Sequence, residues 1–241
     1  MTSGRESFAI LLTAALIAVL VSGCRFVRRP GELRTKTETV ELGGAESVAV
    51  ELNLRAGQLT IDGGADALME AEFAYNIPDW EPTVSYDVSG DQGELTVEQP
   101  DIEELNLGET RNEWDLRFAE DVPLDVEVDL GAGMSTLNVA DLSLTSLDIR
   151  AGAGDVTLDL DGEWADELDV SMEGGVGQAT VYLPADVSVR AEVEGAIGEV
   201  DATGLSQEGG AYVNDAYEGG DPTLELAIRA GVGQVNLEVV E

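Results

Sequence analysis

The chain has no histidine and a single cysteine, Cys24, in 241 residues. The first absence removes Ser-His-Asp and Cys-His catalysis and every zinc site that needs an imidazole. The second removes any intramolecular disulfide. Aromatic residues make up 5% of the chain against 44% apolar residues, so a core must rest mainly on Val, Leu, Ile and Ala. Lysine occurs once, at Lys36, and the net charge is −37. Six basic groups (Arg5, Arg25, Arg28, Arg29, Arg34, Lys36) against Glu6 and Glu32 make the first 36 residues +4, which leaves −41 for the remainder. A body of that charge repels nucleic acid and anionic lipid. Two explanations stand open: adaptation to high salt, where screening tolerates self-repulsion, and a plain solubility surface.

Long apolar runs are also scarce. The longest, Phe8 to Leu20, is too short for an ordinary membrane-spanning helix and follows the basic Arg5. Residues 1–23 therefore read as a leader. Leu20-Val21-Ser22-Gly23-Cys24 resembles the bacterial lipobox, which implies cleavage before Cys24 and lipidation of its thiol and new amino terminus. Several acyl chains hold a protein on a membrane where one would not. Residues 24–36 then form a lipidated basic tether, with Arg25, Arg28 and Arg29 placed to meet anionic headgroups and Arg34 and Lys36 beyond them.

From residue 37 the chain alternates apolar and polar residues, the mark of strands with one buried face. A G-x-G pair interrupts the alternation, as in Leu147-Asp148-Ile149-Arg150-Ala151-Gly152-Ala153-Gly154-Asp155-Val156-Thr157-Leu158. Copies align on the second glycine at Gly57, Gly93, Gly133, Gly154, Gly177, Gly198 and Gly233, and the full pair adds Gly131, Gly152, Gly175 and Gly231. Ala196 replaces the first glycine of the sixth copy. Spacings of 21–23 residues in the middle of the chain mark a stacked array. Each unit has an apolar face that only a neighbour covers. The expected fold is all-β, a right-handed β-helix-like solenoid of hinged strand-turn-strand units. A meander folded into a sandwich would show the same alternation, but it needs no hinge at a fixed offset. The domain division is a leader (1–23), a tether (24–36), an N-terminal β region (37–123) and a continuous β-repeat region (124–241).

Three insertions, 62–83, 98–123 and 203–223, hold most of the aromatic residues and read as irregular caps. Residues 67–76 and 114–118 within them read as further strands, and 77–82 as a loop.

The run Leu52-Asn53-Leu54-Arg55-Ala56-Gly57-Gln58-Leu59-Thr60-Ile61-Asp62-Gly63-Gly64-Ala65, with Phe73-Ala74-Tyr75-Asn76 and Gly93-Glu94-Leu95-Thr96-Val97, resembles the toast-rack N-terminal family. The repeats that follow resemble the LiaF C-terminal-like and adhesin-like β-repeat domains. The resemblance implies stacked β units on the outer face of a bacterial membrane, and LiaF-type proteins take part in sensing envelope stress beside a histidine kinase. LiaF carries membrane helices where this chain carries a lipobox. The family supplies no catalytic residue and no cofactor.

Carboxylate pairs such as Glu103/Glu104, Asp159/Asp161, Asp166/Glu167 and Asp125/Glu127/Asp129 invite a glycosidase reading, which needs two carboxyls flanking one bond. With 49 acidic residues close pairs are inevitable, and alternating Asp and Glu is how an outward strand face looks. Gly152-Ala153-Gly154-Asp155 matches part of a calcium-binding repeat, but the period differs and the position of Asp155 is Met134, Gln178, Glu199 or Gln234 in other copies. Trp80, Trp114 and Trp164, with Tyr75, Tyr86, Tyr212 and Tyr217, form either a stacking platform for sugar or protein, or packing beneath loops. The glycine pairs precede strands, which excludes a dinucleotide fingerprint. No metal site and no cofactor are expected. The reading is a non-enzymatic, lipid-anchored, extracytoplasmic protein of the bacterial envelope, presenting a rigid acidic β surface for adhesion, assembly or envelope-stress sensing. Its partners are the membrane through Cys24 and an envelope protein or polysaccharide. The alternative is a polysaccharide-active β-helix enzyme with paired carboxylates.

Overall fold

The computed structural model describes residues 31–100, 110–164, 166–195, 197–221 and 223–240. Cys24, the leader, residues 25–29, Glu103, Glu104 and Ala196 lie outside the described residues. In chain order the strands are β1 (Arg34–Val40), β2 (Ser47–Asp62), β3 (Met69–Tyr75), β4 (Thr83–Ser89), β5 (Gln92–Glu98), β6 (Asn112–Phe118) and β7 (Leu124–Asn138). They continue as β8 (Leu144–Asp159), β9 (Leu168–Pro184), β10 (Val189–Glu194), β11 (Ile197–Thr203), β12 (Ser206–Glu208), β13 (Ala211–Val213) and β14 (Leu224–Val240). Among the described residues the one helical element is a 3-10 turn at Pro78–Trp80. The protein is all-β, and its strands form one continuous hydrogen-bonded system.

The long strands are bent rungs. β7 pairs in parallel with β8, and Leu124 lies opposite Leu144. A straight 15-residue strand spans about 50 Å, whereas the six steps from Asn138 to Leu144 reach at most about 20 Å. The strand must therefore fold back on itself, and it does so at the G-x-G. Burial shows the same fold. Leu124, Val126 and Val128 are buried before the hinge, Ser135 and Leu137 after it, so the inward parity switches from even to odd across Gly131-Ala132-Gly133. The two arms of each rung thus turn apolar faces toward one another. Stacked rungs merge them into a single core of Val, Leu and Ile with few aromatics. Each fully buried aliphatic side chain contributes about 1.5–3 kcal/mol relative to exposure.

Stack order and chain order differ. The rungs run β2, β7, β8, β9, β14 and then β10 with β11, all in parallel register. The seventh expected copy is thus inserted between the fifth and the sixth. The sixth is the interrupted one, divided into β10 and β11, and it takes the outer position, where β14 is the one full rung stacked against it. An atypical terminal unit is what a stacked array tolerates.

Gly93 corrects the expected alignment. It pairs with Val48, at the start of the β2 arm, and lies nine residues out of phase with Gly57. The chain around it is an antiparallel β4–β5 hairpin that turns at Gly90. A hairpin alternates as a hinged rung does, and the flanking glycine imitates the motif. A side chain at position 93 would meet Tyr86 Oη at 2.6 Å, so this glycine accommodates a ring instead of a crease.

The tether boundary shifts too. β1 takes in Arg34 and Lys36 and pairs antiparallel with β3, so ordered structure begins before residue 37. Lys36 Nζ donates to Pro82 O at 3.2 Å and pairs with Glu38 and Glu81. Its charge is committed to the body of the protein.

The insertions close the stack. β3 and β6 extend the second arm of β2, with β1 outermost, while β5 and β4 extend its first arm. At the other end the β12–β13 pair extends the first arm from β10.

Candidate functional surface along the crease

The crease is made of two glycine columns. A Cβ on Gly131, Gly152, Gly175 or Gly231 would stand 2.1–2.3 Å from the carbonyl oxygen of the residue one rung below. The second column is tighter: at Gly133, Gly154, Gly177 and Gly233 that distance is 1.7–1.8 Å, with φ between +137° and +155°. Neither the space nor the backbone admits a side chain. Gly57 at the base and Gly198 at the outermost rung continue the column, at 2.3 Å from Asn112 O and 1.6 Å from Gly233 O. Gly162 repeats the device outside the crease, 2.1 Å from Ala140 O, and no motif in the sequence marks it. Between the columns the middle residues form a line: Ala56, Ala132, Ala153, Val176, Val232 and Ile197. Its last three members are exposed by 59%, 51% and 71%.

Parallel in-register stacking places like positions side by side, which turns an acidic repeat into a problem of adjacent charges. The outer face of the first arm answers it by alternation. Asn53, Asp129, Arg150, Glu173, Arg229 and Glu194 are successive neighbours across the rungs. Arg150 pairs with Glu127 and lies 3.5 Å from Asp129; Arg229 lies 3.1 Å from Glu173 and 3.8 Å from Glu194. The Glu127 carboxylate, by hydrogen bond and charge, lifts the Arg150 guanidinium above its ordinary value. Arg190 bridges Glu192 and Glu225, the latter at 2.7 Å. An open groove of about 810 Å³ follows this ladder, walled by Arg55, Glu98, Asp129, Arg150 and Glu173 and floored by the crease glycines.

The base of the crease carries features with little local sequence signal. Gln99 is fully buried, and its Oε1 accepts from the N–H groups of Arg55 at 3.0 Å and Ala56 at 3.1 Å. Asn112 Nδ2 donates to Ala56 O at 2.8 Å. Two side-chain amides thus stand in for the backbone of a missing rung. A polar residue on the inward side of the otherwise apolar Asn112-Glu113-Trp114-Asp115-Leu116 alternation is the one clue the sequence offered.

The other candidates resolve into packing or solvent. Trp114 and Phe73 stack edge to face with centroids 5.5 Å apart, and Trp80 and Tyr75 are buried with them, so no stacking platform forms there. Trp164 donates its Nε1 to Leu160 O at 2.9 Å. It borders an open groove of about 850 Å³ whose carboxylates, Asp141, Asp161, Glu163 and Asp186, are all exposed. Asp155 lies between Met134 and Gln178, so no second carboxylate stacks on it from either rung. Glu167, Asp169 and Glu225 bring ligand oxygens within 4.8 Å, but they are exposed or half-buried and Glu225 is held by Arg190. No aspartate or glutamate is buried among the described residues. No helix among the described residues is long and apolar enough to cross a membrane.

No curated protein matches the chain. Residues 131–237 match the C-terminal region of the cell wall-active antibiotics response protein LiaF. The crystal structure of a candidate cell adhesion protein from Clostridium sporogenes is 34% identical with a TM-score of 0.84, covering 87% of this chain and 100% of that one. A candidate adhesin from Bacteroides fragilis is 10% identical over 86% of this chain and 97% of its own, and its TM-score of 0.33 carries no inference. Residues 29–182, well over half of the sequence, match the N-terminal domain of toast_rack, and the chain belongs to that family.

Proposed function

We propose that this protein is a lipid-anchored component of the bacterial cell envelope that works by binding, with adhesion as its primary role. The observation that carries the reading is the match, over 87% of this chain, to the whole of the Clostridium sporogenes cell adhesion candidate, together with an outer face of exposed, laddered charges. Such a face recognises a partner by charge pattern, and the rigid rungs keep its spacing fixed. The LiaF-like repeats support an envelope location, and the lipobox-like Leu20–Cys24 supports attachment through Cys24.

Fractionation of cells carrying the wild-type chain or Cys24→Ser tests the anchor. Wild type is expected in the membrane fraction and exposed to added protease on the outer side, and the variant in the soluble fraction. A Cys24→Ser chain that stays with the membrane sinks the lipid anchor. A wild-type body that resists protease unless cells are opened sinks the surface role.

A further inference from the structure

Among the described residues the sheet system has four outer edges, and three of them carry a recognisable obstacle to strand addition. Natural edge strands are blunted by inward charges, proline, covering loops or shortness. On β1, Lys36 stands on the inward face and is fixed there by Pro82 O, Glu38 and Glu81. β4 starts directly after Pro82, and the turn at Leu42 and Gly43 lies against it through the Tyr86 hydroxyl, which donates to Leu42 O at 2.8 Å. β12 is three residues long.

β11 has none of these. It runs seven residues, Ile197–Thr203, and pairs with β14 on one side. Among the described residues no backbone group of another segment bonds its far side. Its inward positions are Gly198, Val200 and Ala202, with Val200 and Ala202 packed on the core. No charge plugs that face. Ile197 at its start is 71% exposed, the most exposed large apolar residue described. What β11 does carry is on its outward face: Glu199 and Asp201, both exposed.

Those two carboxylates decide the kind of strand that fits. In antiparallel pairing centred on Val200, a second copy of β11 would set Glu199 against Asp201 twice, and like charges directly opposite are unfavourable. A strand with cationic side chains on the outward face turns the same positions into favourable cross-strand pairs. Small apolar residues on its inward face would continue the line of Val200 and Ala202. We propose that the outer edge of β11 accepts an extended segment of a partner protein as an added strand, one in which basic residues alternate with small apolar ones. Main-chain hydrogen bonds supply the affinity of such additions and the alternate side chains supply the selection. This site lies apart from the charge ladder of the first arm, and it stands whether or not the adhesion reading does.

The test uses the full-length chain in detergent and an acetylated heptapeptide probe alternating lysine and valine. Binding is expected, with amide-exchange protection appearing in residues 197–203. Complete N-methylation of the probe keeps its charge but removes its amide donors, and is expected to weaken binding at least tenfold. Glu199→Lys with Asp201→Lys is expected to weaken binding of the unmodified probe by a similar factor. The proposal is overturned if the probe does not bind, or if the methylated probe binds as well with protection scattered over the acidic surface. It is also overturned if the charge-reversed chain binds equally well, or if β11 is already protected without probe because two copies pair through it.

Discussion

The two ends of the stack terminate the same rung in opposite ways. At the β2 end, extra strands continue both arms, aromatic side chains fill the end of the core, and the amides of Gln99 and Asn112 bond the last exposed turn of the crease. At the β11 end the second arm simply stops, with the crease glycine Gly198 stacked on Gly233 and nothing described above it. A repeat whose units satisfy one another leaves an unmet demand at each terminus. Here the chain spends most of its irregular sequence on one of them. The difference shows that irregularity in a repeat protein is local information: it says which end the fold needs closed.

Substitutions sharpen that contrast. The largest effect is expected from Trp114→Ala, which empties the closed end and should cost about 4 kcal/mol in urea unfolding, while Ile197→Ala at the open end should leave the midpoint nearly unmoved. Equal losses at both positions would mean that the two ends are equally closed. Gln99→Leu keeps the volume but leaves the N–H groups of Arg55 and Ala56 without their acceptor, so a loss of about 2 kcal/mol is expected. An unchanged stability would show that the amide is not acting as a substitute rung. The smallest effect concerns pH. Burial first, and then the Glu81 carboxylate, raises the Tyr75 hydroxyl above its ordinary value of 10.0. A raised value means that the fold favours the neutral phenol. Its contribution is complete below pH 10.0 and drains away as pH rises through the folded value. Stability followed from pH 8 upward should fall more for wild type than for Tyr75→Phe; parallel curves would contradict it.

Much of this architecture was legible because the crease is a steric rule repeated at fixed spacing. Gly133, Gly154 and Gly177 share one offset in their repeats since each must clear the carbonyl of the rung below. The strands at Met69–Tyr75 and Asn112–Phe118 were legible for the simpler reason that they alternate. Pairing partners were not. Periodicity states that a strand has a buried face but not which strand lies beside it, so Gly93 matches the crease motif without entering the crease. For the same reason chain order does not reveal that β14 lies between β9 and β11. The Gln99 contact joins residues 43 and 44 positions apart, and no local pattern encodes such a distance.

The line of residues between the glycine columns has one more consequence. The second glycine recurs on every rung and the first on four of them, so the crease leaves its freest choice to the residue after the first position, and that choice projects toward solvent. Read from the closed end to the open one, the choices are methyl, methyl, methyl, isopropyl, isopropyl and sec-butyl, on Ala56, Ala132, Ala153, Val176, Val232 and Ile197. At a rise of about 4.8 Å per rung, the fold works as a ruled margin on which one character is written per line. The molecule is therefore polar along its axis in side-chain bulk as well as in termination, and a partner that touches only this margin can tell which way the stack points.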